Sequence, residues 1–150
     1  MKTTEFIDKF HPCRDALEYL SQYDEMAEAW DNCQRADWML WTLEQIGYDD
    51  QRALRLIACR CVRQIWPLLT DERSRNAVEV AERHANGLAT DDELSAAWQA
   101  AWAASDAASA AARAASSAVR ATEAAWSAAG GAAQCRIIRE IVPNPFEASI

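Results

Sequence analysis

The stretch Thr90–Gly131, TDDELSAAWQAAWAASDAASAAARAASSAVRATEAAWSAAGG, decides the fold class. Thr90-Asp91-Asp92-Glu93 has the spacing of a capping box, and its three acids suit the positive end of a helix dipole. From Asp91 to Ala129 there is no proline and no glycine, and Gly130–Gly131 then supply a stop. One helix over 91–129 would be roughly 58 Å long at the standard rise. Between Ala96 and Ala133, 21 of 38 residues are alanine, so any packing seam on this helix is nearly free of side-chain volume. Ala97, Ala101, Ala104, Ala108, Ala111, Ala115 and Ala118 recur at spacings of four and three, the pattern of a heptad seam. Gln99, Asp106, Arg113, Arg120 and Ser127 repeat every seven residues on a second stripe, predicted to face water. Leu94, Trp98 and Trp102, spaced by four, are expected to give a bulky contact near its start, and Val119 with Trp126 another near its end.

Outward from this stretch the same period recurs, with no alternating apolar–polar run that would make a strand. His11–Pro12 opens a short helix with Leu17 and Leu20 inward. Asp24 opens another, running to about Cys33, on which Met26, Trp30 and Cys33 share a face opposite Asp24, Glu25, Glu28 and Asp31. A third covers Ala36 to Ile46 and stops at Gly47; Met39, Leu43 and Ile46 form its core stripe, leaving Trp41 among Asp37, Glu44 and Gln45. Asp49 or Asp50 caps a fourth helix through Trp66, where Pro67 ends it. It carries Leu54, Ile57, Ala58, Cys61 and Ile65 on one face and Arg52, Arg55 and Arg63 on the other. Thr70 caps a fifth, Asp71 to Asn86, closed by Gly87.

The expected architecture is all-α: a single-domain helical bundle of six or seven helices along one long alanine-rich helix. Its parts are acidic helices at 11–46, an arginine-bearing helix at 50–66, a helix at 71–86, the alanine helix at 91–129, a short helix at 132–142 and a loose tail at 143–150. The alanine seam is read first as an intramolecular scaffold, and otherwise as the contact of a homodimer.

Composition excludes several classes of activity. The N-terminal MKTTEFIDKFH has no apolar core of a secretory signal, and Asp106, Arg113, Arg120 and Glu123 interrupt the alanine run too often for a membrane span. Five cysteines, odd in number and without a CxxC, read as reduced thiols of a cytoplasmic protein. His11 and Cys13 stand two apart and His84 stands alone, so no four-ligand metal set is present and none is expected. No catalytic constellation, glycine-rich phosphate loop or cofactor motif is found, and a non-enzyme is expected. Arg52, Arg55, Arg60 and Arg63 form the one basic cluster, expected to pair with the acidic helices of the N-terminal third rather than with phosphates.

Charge is the clearest functional signal. The chain carries a net −8, and residues 1–50 hold all of it, with four basic against twelve acidic side chains. Such a field suits a basic protein partner and repels nucleic acid. Asp24, Glu25, Glu28, Asp31, Asp37 and Glu44 are the candidate contact residues, with Trp41 either an aromatic anchor ringed by charge or a ring buried between two layers.

The run CRCVRQIWPLLTDERSRNAVEVAERHANGLATDDELSAAWQAAWAA, closing with QCRIIREIVPNPF, resembles the alanine-rich, all-helical immunity proteins of bacterial toxin systems and similar uncharacterised phage proteins. ALEYLSQYDEMAEAWDNCQRADWMLWTLEQIG is similar to their leading segment. The resemblance implies an all-helical, stoichiometric inhibitor without catalysis. Its target would be a basic effector such as a nuclease, toxin or defence component. A self-assembling structural protein using Ala101, Ala104, Ala108, Ala111, Ala115 and Ala118 is the alternative.

Overall fold

The computed structural model describes residues 1–114 and 130–147, and among them every regular element is helical. In chain order these are α1 (Thr3–Phe10), α2 (Arg14–Leu20), α3 (Met26–Asn32), α4 (Ala36–Gln45), α5 (Gln51–Arg63), α6 (Glu72–Ala85), α7 (Asp91–Ala114) and α8 (130–141). A single 3-10 turn, Trp66–Leu68, follows α5. No described helix is long and apolar enough to cross a membrane. The chain divides into two compact units: Met1–Asp49 with Gly131–Ile150, and Asp50–Gly130.

The first unit is built on bulky and aromatic side chains. Phe6, Leu20, Met26 and Ala29 are buried together, with Phe10, Tyr19, Trp41 and Phe146 packed against them. Phe6 meets Trp41 edge-on at 6.0 Å and Phe146 at 6.2 Å. α1, absent from the sequence reading, is held by its surroundings more than by propensity. Thr3 Oγ1 donates to the Tyr23 carbonyl at 2.6 Å and Thr3 N–H to the Asp24 carbonyl at 3.1 Å. α8 buries Cys135, Ile137 and Ile138, and Val142 just beyond its end is buried with them. Arg139 donates to the carbonyls of Trp30 (2.8 Å) and Cys33, satisfying acceptors that the end of α3 leaves open.

Several expectations are corrected here. Gly130 and Gly131, expected as a stop, are themselves helical, within α8. The tail is tied as far as 147, since Asn144 donates to Ala27 O and Asp31 Oδ1, each at 2.9 Å, and the Phe146 ring packs on Phe6. Leu17 is exposed rather than inward, because α2 is short and Ala16 and Leu20 alone fill its buried side.

The second unit stacks α5 on α6 and α6 on α7. Asp50 caps α5 by accepting from Ala53 N–H at 2.9 Å. Asp71, not Thr70, caps α6, accepting from Arg73 N–H at 2.9 Å. Gly87 takes φ +72° and closes α6 with the N–H of Leu88 on the Arg83 carbonyl. The Thr90 box forms as read: Thr90 N–H reaches Glu93 Oε2 at 2.7 Å and Glu93 N–H reaches Thr90 Oγ1 at 3.2 Å.

The arginine face of α5 is not an outer face: Arg52, Arg55 and Arg63 reach α6 and its C-terminal cap. Arg63 forks onto Glu82 at 2.9 and 2.6 Å. Arg52 donates to the Ala85 carbonyl at 2.9 Å, and Arg55 lies 3.2 Å from His84 Nδ1. Cys59 is buried on this side while Ala58 is exposed, a rotation of the wheel read from sequence.

On α7, Ala97 is buried and Leu94 and Ala101 are half-buried, the side of the helix that packing on α6 would cover. Trp98 and Trp102, expected as a packing contact, are instead 60% and 58% exposed and stack on each other at 5.3 Å. The side chains of Ala104, Ala108 and Ala111, all of Ala115 and Ala118, and the continuation of the helix over 115–129 lie outside the described residues.

Candidate functional site

Acidic side chains of the first unit fall into two groups. Glu25 and Asp37 are compensated. Glu25 pairs with Lys2 Nζ at 2.7 Å and with the N-terminal amine at 3.7 Å, and Lys2 holds its carboxyl below the usual carboxylate range. Asp37 accepts Arg35 Nε at 2.9 Å and Nη2 at 2.6 Å, which likewise lowers its carboxyl. Asp24, Glu28, Asp31 and Glu44 are exposed and have no ion pair with any described residue; Asp31 accepts only the neutral amide of Asn144. By sequence this unit holds six basic and thirteen acidic side chains, a net −7, while Asp50–Gly130 holds nine and ten, a net −1.

Trp41 does not stand in an outer acidic ring. It is half-buried, its ring set by the edge contact with Phe6 at one side. At the other it borders an open cleft of about 460 Å³ that the sequence reading did not find. The cleft forms because α1 ends abruptly. His11 takes a left-handed backbone (φ 48°, ψ 60°) directly before Pro12, a conformation that proline disfavours in its predecessor. The chain turns at 11–13 and leaves space beside α4.

Across that space stand Arg35, Asp37 and Trp38. Arg35 stands at the N-cap position of α4 without a side-chain capping bond; it forks onto Asp37 and lays its guanidinium over the Trp38 ring at 4.5 Å. Trp38 is backed by Tyr19 at 5.6 Å. Cys13, the exposed thiol among the described cysteines, lies on the opposite wall, whereas burial raises the thiols of Cys33, Cys59 and Cys61 and takes Cys135 up to about 11. The signal for this cleft was present in sequence as Arg35-x-Asp37-Trp38, a cation able to reach an acid and an aromatic ring within one turn.

Ala16, Trp38 and Trp41 also border a second, inner cavity of about 30 Å³, into whose lining Phe6 and Trp30 enter. Trp30 is 3% exposed and its Nε1 has no acceptor among the described residues. A space of that size suits one water-sized acceptor, not a side chain or an organic ligand, whereas the outer cleft falls in the usual range for ligand sites. No group of three or more metal-binding side chains is assembled among the described residues. No protein-family model, curated protein or solved structure matches the chain.

Proposed function

We propose that the protein is a non-enzymatic, stoichiometric inhibitor, of toxin-immunity or phage anti-defence type, that binds a basic effector protein through its acidic N-terminal unit. The observation that carries this reading is the unequal compensation of charge. The arginines of the second unit with described partners are spent largely on its own helices, while Asp24, Glu28, Asp31 and Glu44 keep their charge facing solvent. Uncompensated exposed charge costs folding stability through self-repulsion and favours association with a basic surface. The likeness of the quoted segments to immunity proteins supports the same reading, and with it a cytoplasmic site of action.

The alanine-rich helix then serves as scaffold within its own unit. Burial of Ala97 and half-burial of Ala101 beside α6 support that role over a seam between two copies.

The test is capture from a lysate of the natural host at about 50 and about 200 mM salt, a span across which screening shortens appreciably. A basic protein is expected at low salt and less of it at high salt. Glu28→Lys with Asp31→Lys should abolish its capture with helicity unchanged in circular dichroism. Full capture by the double variant would remove the acidic face from the reading.

A further inference from the structure

We propose that the cleft between the 11–13 turn and α4 receives an arginine side chain of the basic partner, and that Arg35 competes with it for Asp37 and Trp38. This rests on the reading of the first unit as a surface for a basic protein, and it names where one residue of that protein is seated.

The geometry already displays the recognition chemistry. A guanidinium needs a planar carboxylate to fork onto and an aromatic face to lie on. Asp37 and Trp38 offer both to Arg35, at 2.6–2.9 Å and 4.5 Å. Each Asp37 oxygen takes one Arg35 nitrogen, and the backbone N–H groups of Asp37 and Trp38 also favour the charged carboxylate, so a second guanidinium forks onto Asp37 by displacing Arg35. Trp41 adds a second aromatic surface in the same cleft, with its orientation fixed by Phe6.

Charge selects the sign of the guest. The Arg35–Asp37 pair is neutral as a whole, and the unit around it carries −7. Asp15 acts on Arg35 as well, adding negative potential at the wall where α2 begins. A carboxylate guest would have to take Arg35 from Asp37 and would enter against that field. A cationic guest enters with it. Size also discriminates, since about 460 Å³ accommodates a long side chain and the inner cavity of about 30 Å³ does not.

Arg35 is the means of telling these guests apart. If it is a competitor, its removal frees Asp37 and Trp38 and arginine binds more tightly. If it were an anion receptor, its removal would abolish binding of an acidic guest and leave arginine indifferent. Arg35 and Asp37 are both exposed, so neither substitution threatens the core.

The experiment uses the full chain and a capped tetra-arginine peptide, with a tetra-glutamate peptide as the opposite arm. Binding is followed by calorimetry and by the rate at which iodoacetamide alkylates Cys13, with Cys13→Ser supplying the background from the other thiols. Saturating tetra-arginine should slow Cys13 alkylation several-fold. Asp37→Asn should weaken binding about tenfold, the worth of one charge-assisted contact. Arg35→Ala should tighten it. Protection by tetra-glutamate, or weaker arginine binding in Arg35→Ala, would overturn the assignment. Calorimetric binding of tetra-arginine with no protection of Cys13 would overturn the cleft while leaving the acidic face standing. Absence of any binding at low salt would overturn both.

Discussion

The two units solve the problem of packing short helices differently. The first fills its interior with large rings: Phe6, Trp30, Trp41 and Phe146 meet at 6.0–6.4 Å in edge or tilted contacts. The second, among its described residues, buries aliphatic side chains and a thiol but no ring, Ala53, Ile57, Cys59, Val80, Ala85 and Ala97, and adds arginine bonds between α5 and α6. Arg52, Arg55 and Arg63 reach acceptors on α6 and its cap, and the Arg63 guanidinium also covers Trp66 at 3.9 Å. The consequence is electrostatic. Where arginines are consumed within the fold, little net charge is left over. Where rings supply the cohesion, the surface acids are free for other uses. A search for function therefore belongs in the first unit.

The comparison breaks most sharply at Phe6, the fully buried ring of α1 against which Phe10, Trp41 and Phe146 pack. Phe6→Ala removes the ring that the others meet, and should lower stability by about 3–5 kcal/mol. Urea unfolding measures the loss, and hydrogen exchange should place it in peptides from 1–49. A cost below about 1 kcal/mol would mean that the aromatic cluster is not what holds this unit.

The second unit should respond to pH instead. Glu82 is held below its ordinary value of 4.5 by the forked Arg63. Its folded value lies below its unfolded one, so its contribution is present above pH 4.5 and fades as pH falls through the folded value. Glu82→Gln should therefore cost about 1 kcal/mol at pH 7 and progressively less in acid. Thermal unfolding of the two proteins at pH 7 and pH 3 checks this. A gap that stays constant with pH would show that packing of the side chain, and not its charge, is what matters.

Helix type and most helix ends were legible because they depend on local chemistry. The Thr90 box, the Asp50 cap and the left-handed glycines Gly47 and Gly87 act within a few residues of themselves. What was not legible depends on neighbours far away in the chain. α1 is eight residues long and begins Thr3-Thr4, and its box closes onto Lys2, which carries no capping hydroxyl. Its partners are Tyr23 and Asp24. A helical wheel also assumes one buried side, and two helices violate it. α4 buries Met39 and Leu43 on one side and leans Trp41 on Phe6 at another. α5 turns its charged side to α6, because arginine can lie in an interface when acceptors meet it. The cleft escaped for the same reason, since its two walls come from residues 11–13 and 35–41. Of the candidate contact residues, Glu28, Asp31 and Glu44 are exposed on their helices, Asp24 is exposed ahead of α3, and Trp41 is half-buried.

The smallest effect is expected where the sequence suggested a large one. Trp98 and Trp102 are the bulkiest side chains on the described part of α7, and spacing by four invites the view that they anchor it. Both are more than half exposed, and the main contact of each ring is the other at 27°. Burial, not side-chain size, sets the contribution of a ring to folding, and a stacked exposed pair is worth little beyond its own contact. Ala97, with a single methyl, sits on the buried side of the same helix. Replacing both tryptophans with alanine should thus shift stability by no more than about 0.5 kcal/mol, since alanine's better helix propensity offsets part of the lost stacking. Denaturant midpoints with unchanged slope would agree. A loss of 2 kcal/mol or more would mean that the pair is covered in solution, and it would make this face, rather than the acidic one, the first place to look for a bound partner.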